Sequence, residues 1–375
     1  MFDISDISRD SMMLTGGFSQ KGYDWWWHSF TAHEVKTGKE KQFFIEYFLC
    51  NPAWGQDYPV LGQLPSNQER GIRPSYMMVK AGCWGPDHKQ LHRFFGWNKI
   101  DRHDTAPFRI QAGSCFVSDD RIMGHVEVSK ETAAKHPEYM SDSGNMYWDL
   151  KVNKQISFNV GYGASHIFQK LETFEMYWHA EGMKTAFDGE IRMDGKLYIV
   201  DPATSYGYSD KNWGKGYTNP WLWLSSNSLY SEKLGCKLEN SVFDIGGGRP
   251  KAFGIDLGRK LLGALYYEGL EYEYNFSKPW TRPRTKFKVS TKGDFIRWKV
   301  WQENRDSVMK VDIRCRKSDM LFIKYEDPLG HMGCEKLWNG GNGEGTIRLY
   351  AKQCNGLVLI DTLSVTRVGC EWSEY

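Results

Sequence analysis

Two clusters concentrate the side chains that could do chemistry. The first is Tyr206-Gly207-Tyr208-Ser209-Asp210-Lys211-Asn212-Trp213-Gly214, followed by Asn219-Pro220-Trp221-Leu222-Trp223 and Asn227. A carboxylate and an amide two residues apart on extended chain project to one side, so Asp210 and Asn212 can enter one cavity together. The surrounding Trp and Tyr rings would exclude water and raise the Asp pKa, which makes the carboxyl a usable proton donor. The same residues also suit a turn, because Asp and Asn are common turn formers. The second cluster is Gly22-Tyr23-Asp24-Trp25-Trp26-Trp27-His28-Ser29-Phe30. Three consecutive Trp on a strand point to both faces, so this segment is either a strand covered on both sides or the wall of a pocket with His28 as a polar group inside it.

Other chemistries lack their residues. There is no G-x-x-x-x-G-K-[ST] loop, no G-x-G-x-x-G after a strand and no G-x-S-x-G elbow. Gly246-Gly247-Gly248 precedes Arg249-Pro250 and reads as a turn. His88 and His92 would suit a metal only on a helix, and no third ligand accompanies them. With 48 basic and 46 acidic residues, the formal charge of +2 supplies no field to gather phosphates, which argues against nucleic acid as a partner. Met1 to Leu14 lacks a basic start followed by an apolar run, and no stretch has the apolar length needed to cross a bilayer. The eight scattered cysteines contain no C-x-x-C pair and read as buried apolar thiols in a reducing compartment, so cytoplasm is the expected location.

The elements that must position these side chains read mostly as short strands. Lys286–Val289 and Phe295–Trp301 flank a Lys292-Gly293-Asp294 turn, and Glu190–Val200 turns at Asp194-Gly195. Lys310–Arg316, Thr346–Ala351 and Leu357–Ile360 read as further strands, with Gly340–Gly345 as a flexible turn. Helical signals are sparse: Lys130–Met140 suits a short helix and Pro86–Trp97 is ambiguous. Many short strands divided by Gly, Asn, Asp and Pro turns indicate an all-β barrel or sandwich architecture. A polar, Gly-rich stretch near Asp201–Tyr217 marks a soft boundary, dividing the chain into residues 1–205 and 206–375.

Ser209-Asp210-Lys211-Asn212-Trp213-Gly214, with Trp221-Leu222-Trp223 and Asn227, resembles the signature of the tocopherol cyclase family. Asn51-Pro52-Ala53, Gly124-His125, Asp256–Phe276 and Leu337–Ala351 resemble further family segments in order, so the likeness spans most of the chain. Gly22-Tyr23-Asp24-Trp25-Trp26, with Asp210, Asn212 and Gly214, carries a weaker resemblance to carotenoid hydratases. Lys21-Gly22-Tyr23-Asp24-Trp25 stands where tocopherol cyclases show E-G-W-Y-F, and Ser225 stands where the family has Gln, which implies a diverged pocket.

The resemblance implies two lipocalin-like antiparallel β domains with a substrate pocket between them. It implies protonation of a C=C or carbonyl followed by capture by a hydroxyl or by water, with no cofactor and no metal. The expected activity is therefore a cofactor-independent cyclase or isomerase that closes a ring on a lipophilic phenolic or prenylated substrate. A hydratase or pericyclic cyclase on the same scaffold, or a non-catalytic carrier of lipophilic ligands, are the alternatives. Asp210, Asn212 and His28 are the expected catalytic residues. Trp25, Trp26, Trp27, Trp213, Trp221, Trp223, Tyr208, Asn227 and His125 are the expected substrate contacts. The expected partner is a small lipophilic substrate; nothing in the sequence sets the oligomeric state.

Overall fold

The computed structural model describes residues 9–105, 107–158, 173–323, 327–330 and 337–373. Residues 1–8 of the N-terminal stretch and Cys334 lie outside them. Among the described residues the fold is nearly all β, with two short α-helices, Pro65–Glu69 and Lys130–Lys135. The expected helix at Lys130 thus forms, but it stops after Lys135. None of the helices is long and apolar enough to cross a membrane.

The strands form two large antiparallel sheets of 12 strands each. In the first, Tyr23–Glu34 pairs along its length with Glu40–Cys50, which pairs with Tyr76–Cys83 and then Lys89–Phe95. On the other side of Tyr23–Glu34, two strands share the gap to Met176–Met193: Lys196–Val200 at one end and Gly207–Gly214 at the other. The sheet continues through Gly144–Phe158 and Arg121–Val128 to Ile100–His103. It curls until Lys89–Phe95 packs against Arg121–Val128, so that its inner face encloses one apolar core. The second sheet runs from Leu270–Tyr274 through Val242–Gly248, Trp221–Ser226 and the long pair Gly356–Ser373 and Leu337–Gln353 to Arg284–Lys292, as a half-barrel around a second core. Both hairpins read from the sequence are present, at Met193–Lys196 and Lys292–Phe295.

Alternation explains why two cores leave a third layer between them. Along a strand, successive side chains face opposite sides of the sheet. In Glu40–Cys50, Phe43, Ile45, Tyr47 and Leu49 fill the first barrel, whereas Phe44 and Phe48 point outward. In Trp221–Ser226, Leu222 and Leu224 enter the second core and Trp223 points out. The outward residues of the two sheets meet each other, so these strands are buried on both faces.

Gly207–Gly214 is a continuous, fully buried strand, so of the two readings of this segment the extended one holds. Three other readings change. The strand hydrogen-bonds into the first sheet, so the chain passes between the sheets only after Gly214 and not at residue 205. Gly246-Gly247-Gly248 is the end of a strand, and Gly340–Gly345 lies within another. In both, glycine serves close approach rather than a turn. A Cβ on Gly246 would stand 2.7 Å from the Trp178 ring, one on Gly341 2.5 Å from Trp84, and one on Gly369 2.4 Å from Trp223. Five described cysteines are buried as expected, but Cys236 and Cys354 are exposed.

Candidate active site between the sheets

Register places the site. Trp27 stands opposite Asp210 on one side and Glu46 on the other, and Glu46 stands opposite Lys80. One step along, Asn212, Trp25 and Phe48 form a parallel row, and Trp178 pairs with Asn212. Cross-strand partners share a face, so Tyr208, Asp210, Asn212, Trp25, Trp27 and Trp178 all look toward the second sheet. From that sheet Trp221, Trp223, Asp244, Asn339 and Glu371 face them, because Trp223 stands opposite Gly246 and Glu371, and Asn339 opposite Glu371.

Three carboxyls are buried in this layer, each held by neutral donors. Asp210 Oδ2 accepts from Trp178 Nε1 at 2.8 Å and from the Tyr208 hydroxyl at 3.1 Å. Asp244 Oδ1 accepts from Trp223 Nε1 at 3.0 Å, and the Trp223 ring packs on Tyr208 with centroids 5.1 Å apart. Glu371 Oε2 accepts from Trp221 Nε1 at 2.5 Å and its Oε1 from Asn339 Nδ2 at 2.5 Å; Asn339 in turn accepts from Trp84 Nε1 at 2.6 Å. Among the described residues, Asp210 Oδ1 and Asp244 Oδ2 have no hydrogen-bond partner.

Other buried carboxylates sit beside lysines, although burial still pushes two of them, Asp24 and Glu181, up to about 6 and about 7. Glu46 is paired with Lys80 at 3.0 Å, Asp10 with Lys154 at 2.9 Å, and Asp24 with Lys211. Among the described residues, no cation pairs with Asp210, Asp244 or Glu371. Burial therefore dominates. It holds the Asp210 carboxyl well above the usual range against the indole and phenol bonds that favour ionisation. It does the same for Asp244, with repulsion from Asp210 adding to it, and it pushes Glu371 up to about 7. The Tyr208 hydroxyl is also driven upward, by burial and then by both aspartates. The set is a group of acids held above the usual carboxylate range in a layer of indole rings.

A cleft reaches this layer. Its cavity volume is about 60 Å³, and it is lined by Trp178, Trp221, Met176, Leu262 and the backbone of Gly246–Gly248. A smaller recess of about 30 Å³ adjoins it through Met176, Thr218 and Trp221, and is walled by Trp25, Tyr217, Leu337 and Glu371. Trp178 thus touches the cleft with its ring and Asp210 with its N–H. Ligand sites are typically concave and mostly apolar with a few placed polar groups.

The structure brings together Asp210, Asn212, Tyr208, Trp25, Trp27, Trp221 and Trp223. Within this group Asn212 is engaged by the Tyr23 hydroxyl at 2.8 Å, so Trp178 and Tyr208 are the groups that orient Asp210. Other expected site residues lie elsewhere. His28, Trp26 and Trp213 point into the first barrel because they are one residue out of phase with the site face. There His28 Nδ1 is 3.0 Å from Ser209 Oγ, and burial lowers its pKa to about 3. Trp26 donates to the Asp10 carbonyl with the Lys211 ammonium 3.7 Å from its ring, and Trp213 stacks on Tyr177. Asn227 spends its amide on the carbonyls of Met183 and Gly207 and ties the two sheets together. His125 is part-exposed on the outer surface, 3.2 Å from Asn145.

Sequence reading missed Asp244, Glu371, Trp178, Trp84 and Asn339. A signal existed for the two acids. Asp244 stands alone in Val242-Phe243-Asp244-Ile245, and Glu371 between Cys370 and Trp372. An isolated acid inside an apolar strand is either on a solvent face or buried for a purpose.

Comparison with known proteins shows the family of the chain. A family model described as tocopherol cyclase-like matches residues 117–371, a span that contains Asp210, Asp244 and Glu371. The chloroplastic tocopherol cyclase of Zea mays is 28% identical over 334 residues, 80% of this chain and 64% of that protein. A probable chloroplastic tocopherol cyclase of Oryza sativa subsp. japonica is 30% identical over 203 residues, 52% of this chain and 37% of that protein. The chain therefore spans less than two thirds of the length of these relatives. Among solved structures, a putative AttH from Nitrosomonas europaea aligns with a TM-score of 0.43 and kievitone hydratase from Nectria haematococca with 0.46, each at 11% identity. These alignments cover 94% and 96% of this chain, and 94% and 93% of those chains. The chain belongs to the tocopherol cyclase-like family.

Proposed function

We propose that the protein is a cofactor-independent cyclase that closes a ring on a lipophilic phenolic or prenylated substrate, with Asp210 as the proton donor. One observation carries this reading: the three carboxyls buried in the layer that the cleft reaches have indole, phenol and amide partners and, among the described residues, no paired lysine or arginine. A carboxyl kept neutral in this way can give a proton at neutral pH.

In the proposed reaction the neutral Asp210 carboxyl protonates the substrate double bond, whose π pair forms the new C–H bond and leaves a carbocation. The faces of neighbouring indole rings stabilise that cation. A lone pair of the substrate hydroxyl then forms the C–O bond, and the proton released from that oxygen returns to the Asp210 carboxylate. Every atom and electron stays within substrate and carboxyl, so the reaction is an isomerisation. Burial, with repulsion from Glu371 adding to it, holds the Asp210 carboxyl up. The cleft supplies the apolar walls.

The test is conversion of a prenylated phenol to a product of the same mass lacking the free hydroxyl. A product heavier by one water identifies a hydratase instead, and tight binding without conversion identifies a carrier. Asp210→Asn is expected to lower turnover about 10²–10⁴-fold while ligand binding persists. Full turnover in well-folded Asp210→Asn removes Asp210 as the acid.

A further inference from the structure

The mouth of the cleft carries a projection that the proposed chemistry does not use. Residues Arg249 to Lys260 form a small hairpin, Lys251–Ala252 against Ile255–Asp256, that is separate from both large sheets. Its two ends, Pro250 and Lys260, line the cleft. It is anchored beside the first sheet by the Phe174–Ala252 bridge and by the Phe253 N–H, which donates to the Thr173 carbonyl.

Its tip is apolar and turned to water. Phe253 is 65% exposed, Ile255 67% and Leu257 37%. Phe253 also holds a left-handed backbone, φ 49°, which is unfavourable for a bulky residue. Trp280, 71% exposed, sits on a short turn that follows Phe276 and Ser277, two more residues of the cleft lining. Single exposed apolar residues are ordinary, but a group of large ones around one opening marks an interaction surface. Arg249, Lys251, Arg259 and Lys260 flank the tip against two acids, Asp256 and Glu175, whose carboxylate lies 3.6 Å from the Lys251 ammonium. The whole chain carries only +2, so this excess is local.

An apolar tip flanked by cations fits one environment best. Large apolar side chains enter the boundary between headgroups and acyl chains, while Lys and Arg meet the anionic headgroups above it. We propose that the 249–260 hairpin and Trp280 form a lipid-docking surface, which seats the mouth of the cleft on an anionic bilayer. A lipophilic substrate then passes from bilayer to cleft without crossing water. That purpose rests on the lipophilic-substrate reading above, whereas the docking itself does not.

The experiment is flotation of the full chain with phosphatidylcholine vesicles, with and without phosphatidylglycerol. The protein should float with the anionic vesicles, and added salt should weaken binding because it screens the cationic flanks. Phe253→Ser/Ile255→Ser should reduce the partition coefficient at least about tenfold, with circular dichroism and melting temperature unchanged since both side chains are exposed. Arg249→Glu/Lys251→Glu should reduce binding to the anionic vesicles only. Failure of the wild type to float overturns the proposal, as does wild-type flotation by the Phe253/Ile255 variant. Capture by heparin that both proteins share, without flotation, also overturns it and identifies a polyanion site. Because the readout is lipid association, a negative result leaves the cyclase reading standing, and a floating protein with no turnover leaves the docking surface standing.

Discussion

Gly246→Ala tests whether the cleft and the acid are one device. The added Cβ would lie 2.7, 2.9 and 3.2 Å from three atoms of the Trp178 ring, against ordinary contacts of 3.4 Å or more. The indole must therefore retreat by about 0.7 Å or the strand must move. Trp178 is buried, and its Nε1 donates to Asp210 Oδ2 at 2.8 Å, so a retreat of that size takes the bond to the edge of hydrogen-bonding range. Overpacking of this kind typically costs about 1–3 kcal/mol. Spread over the unfolding entropy of the whole chain, that is a loss of roughly 1–4 °C in melting temperature. Catalysis should suffer more, because misplacing a group by about 1 Å can cost on the order of 10²-fold. The assay is conversion of a prenylated phenol and thermal melting on the same preparation. A tenfold or greater loss of turnover with a small melting shift is expected. If Gly246→Ala keeps full turnover, Trp178 does not couple the cleft to Asp210 and the positioning argument fails.

The remaining expectations concern ionisation and the displaced histidine. Glu371 has a folded pKa of about 7 against an ordinary carboxyl value of 4.5, so the folded state holds a proton that the unfolded state has released. Its contribution is present below the unfolded pKa and is lost as pH rises through about 7, on the order of 3 kcal/mol in all. Urea titrations of wild type and Glu371→Gln across that window should show the variant with the flatter pH dependence; parallel curves would mean that Glu371 is ionised in the folded protein. His28→Ala should lower the melting temperature, since it opens a cavity beside Ser209, and should leave turnover per folded molecule unchanged; a selective loss of turnover would return His28 to the site.

The site shows how far a period-two reading carries. Asp210 and Asn212 were legible as one face because their spacing matches the strand, and that face is the one that meets the second sheet. The same alternation, applied to Trp25-Trp26-Trp27-His28, already separates Trp25 and Trp27 from Trp26 and His28. It does not say which pair faces the cleft, since both faces of the strand are buried and equally aromatic. The glycine runs misled because glycine marks turns more often than tight contacts, and only the position of Trp178 against Gly246 and Trp84 against Gly341 reveals the second use.

By itself the sequence determined the class of fold, since alternation and turn residues are local properties of the chain. It also determined the family, through the Ser209–Gly214 motif. Tertiary structure alone decided the company of the acids. Asp244 and Glu371 face Asp210 from strands of another sheet, and the indole donors of the three acids, Trp178, Trp221 and Trp223, come from two strands, one in each sheet. Whether a buried carboxyl is an ion or an acid depends on how far it is desolvated and on which donors and charges stand around it. The indole donors come from neighbouring strands of the same sheet and the desolvation from the sheet packed opposite, and no local pattern encodes either.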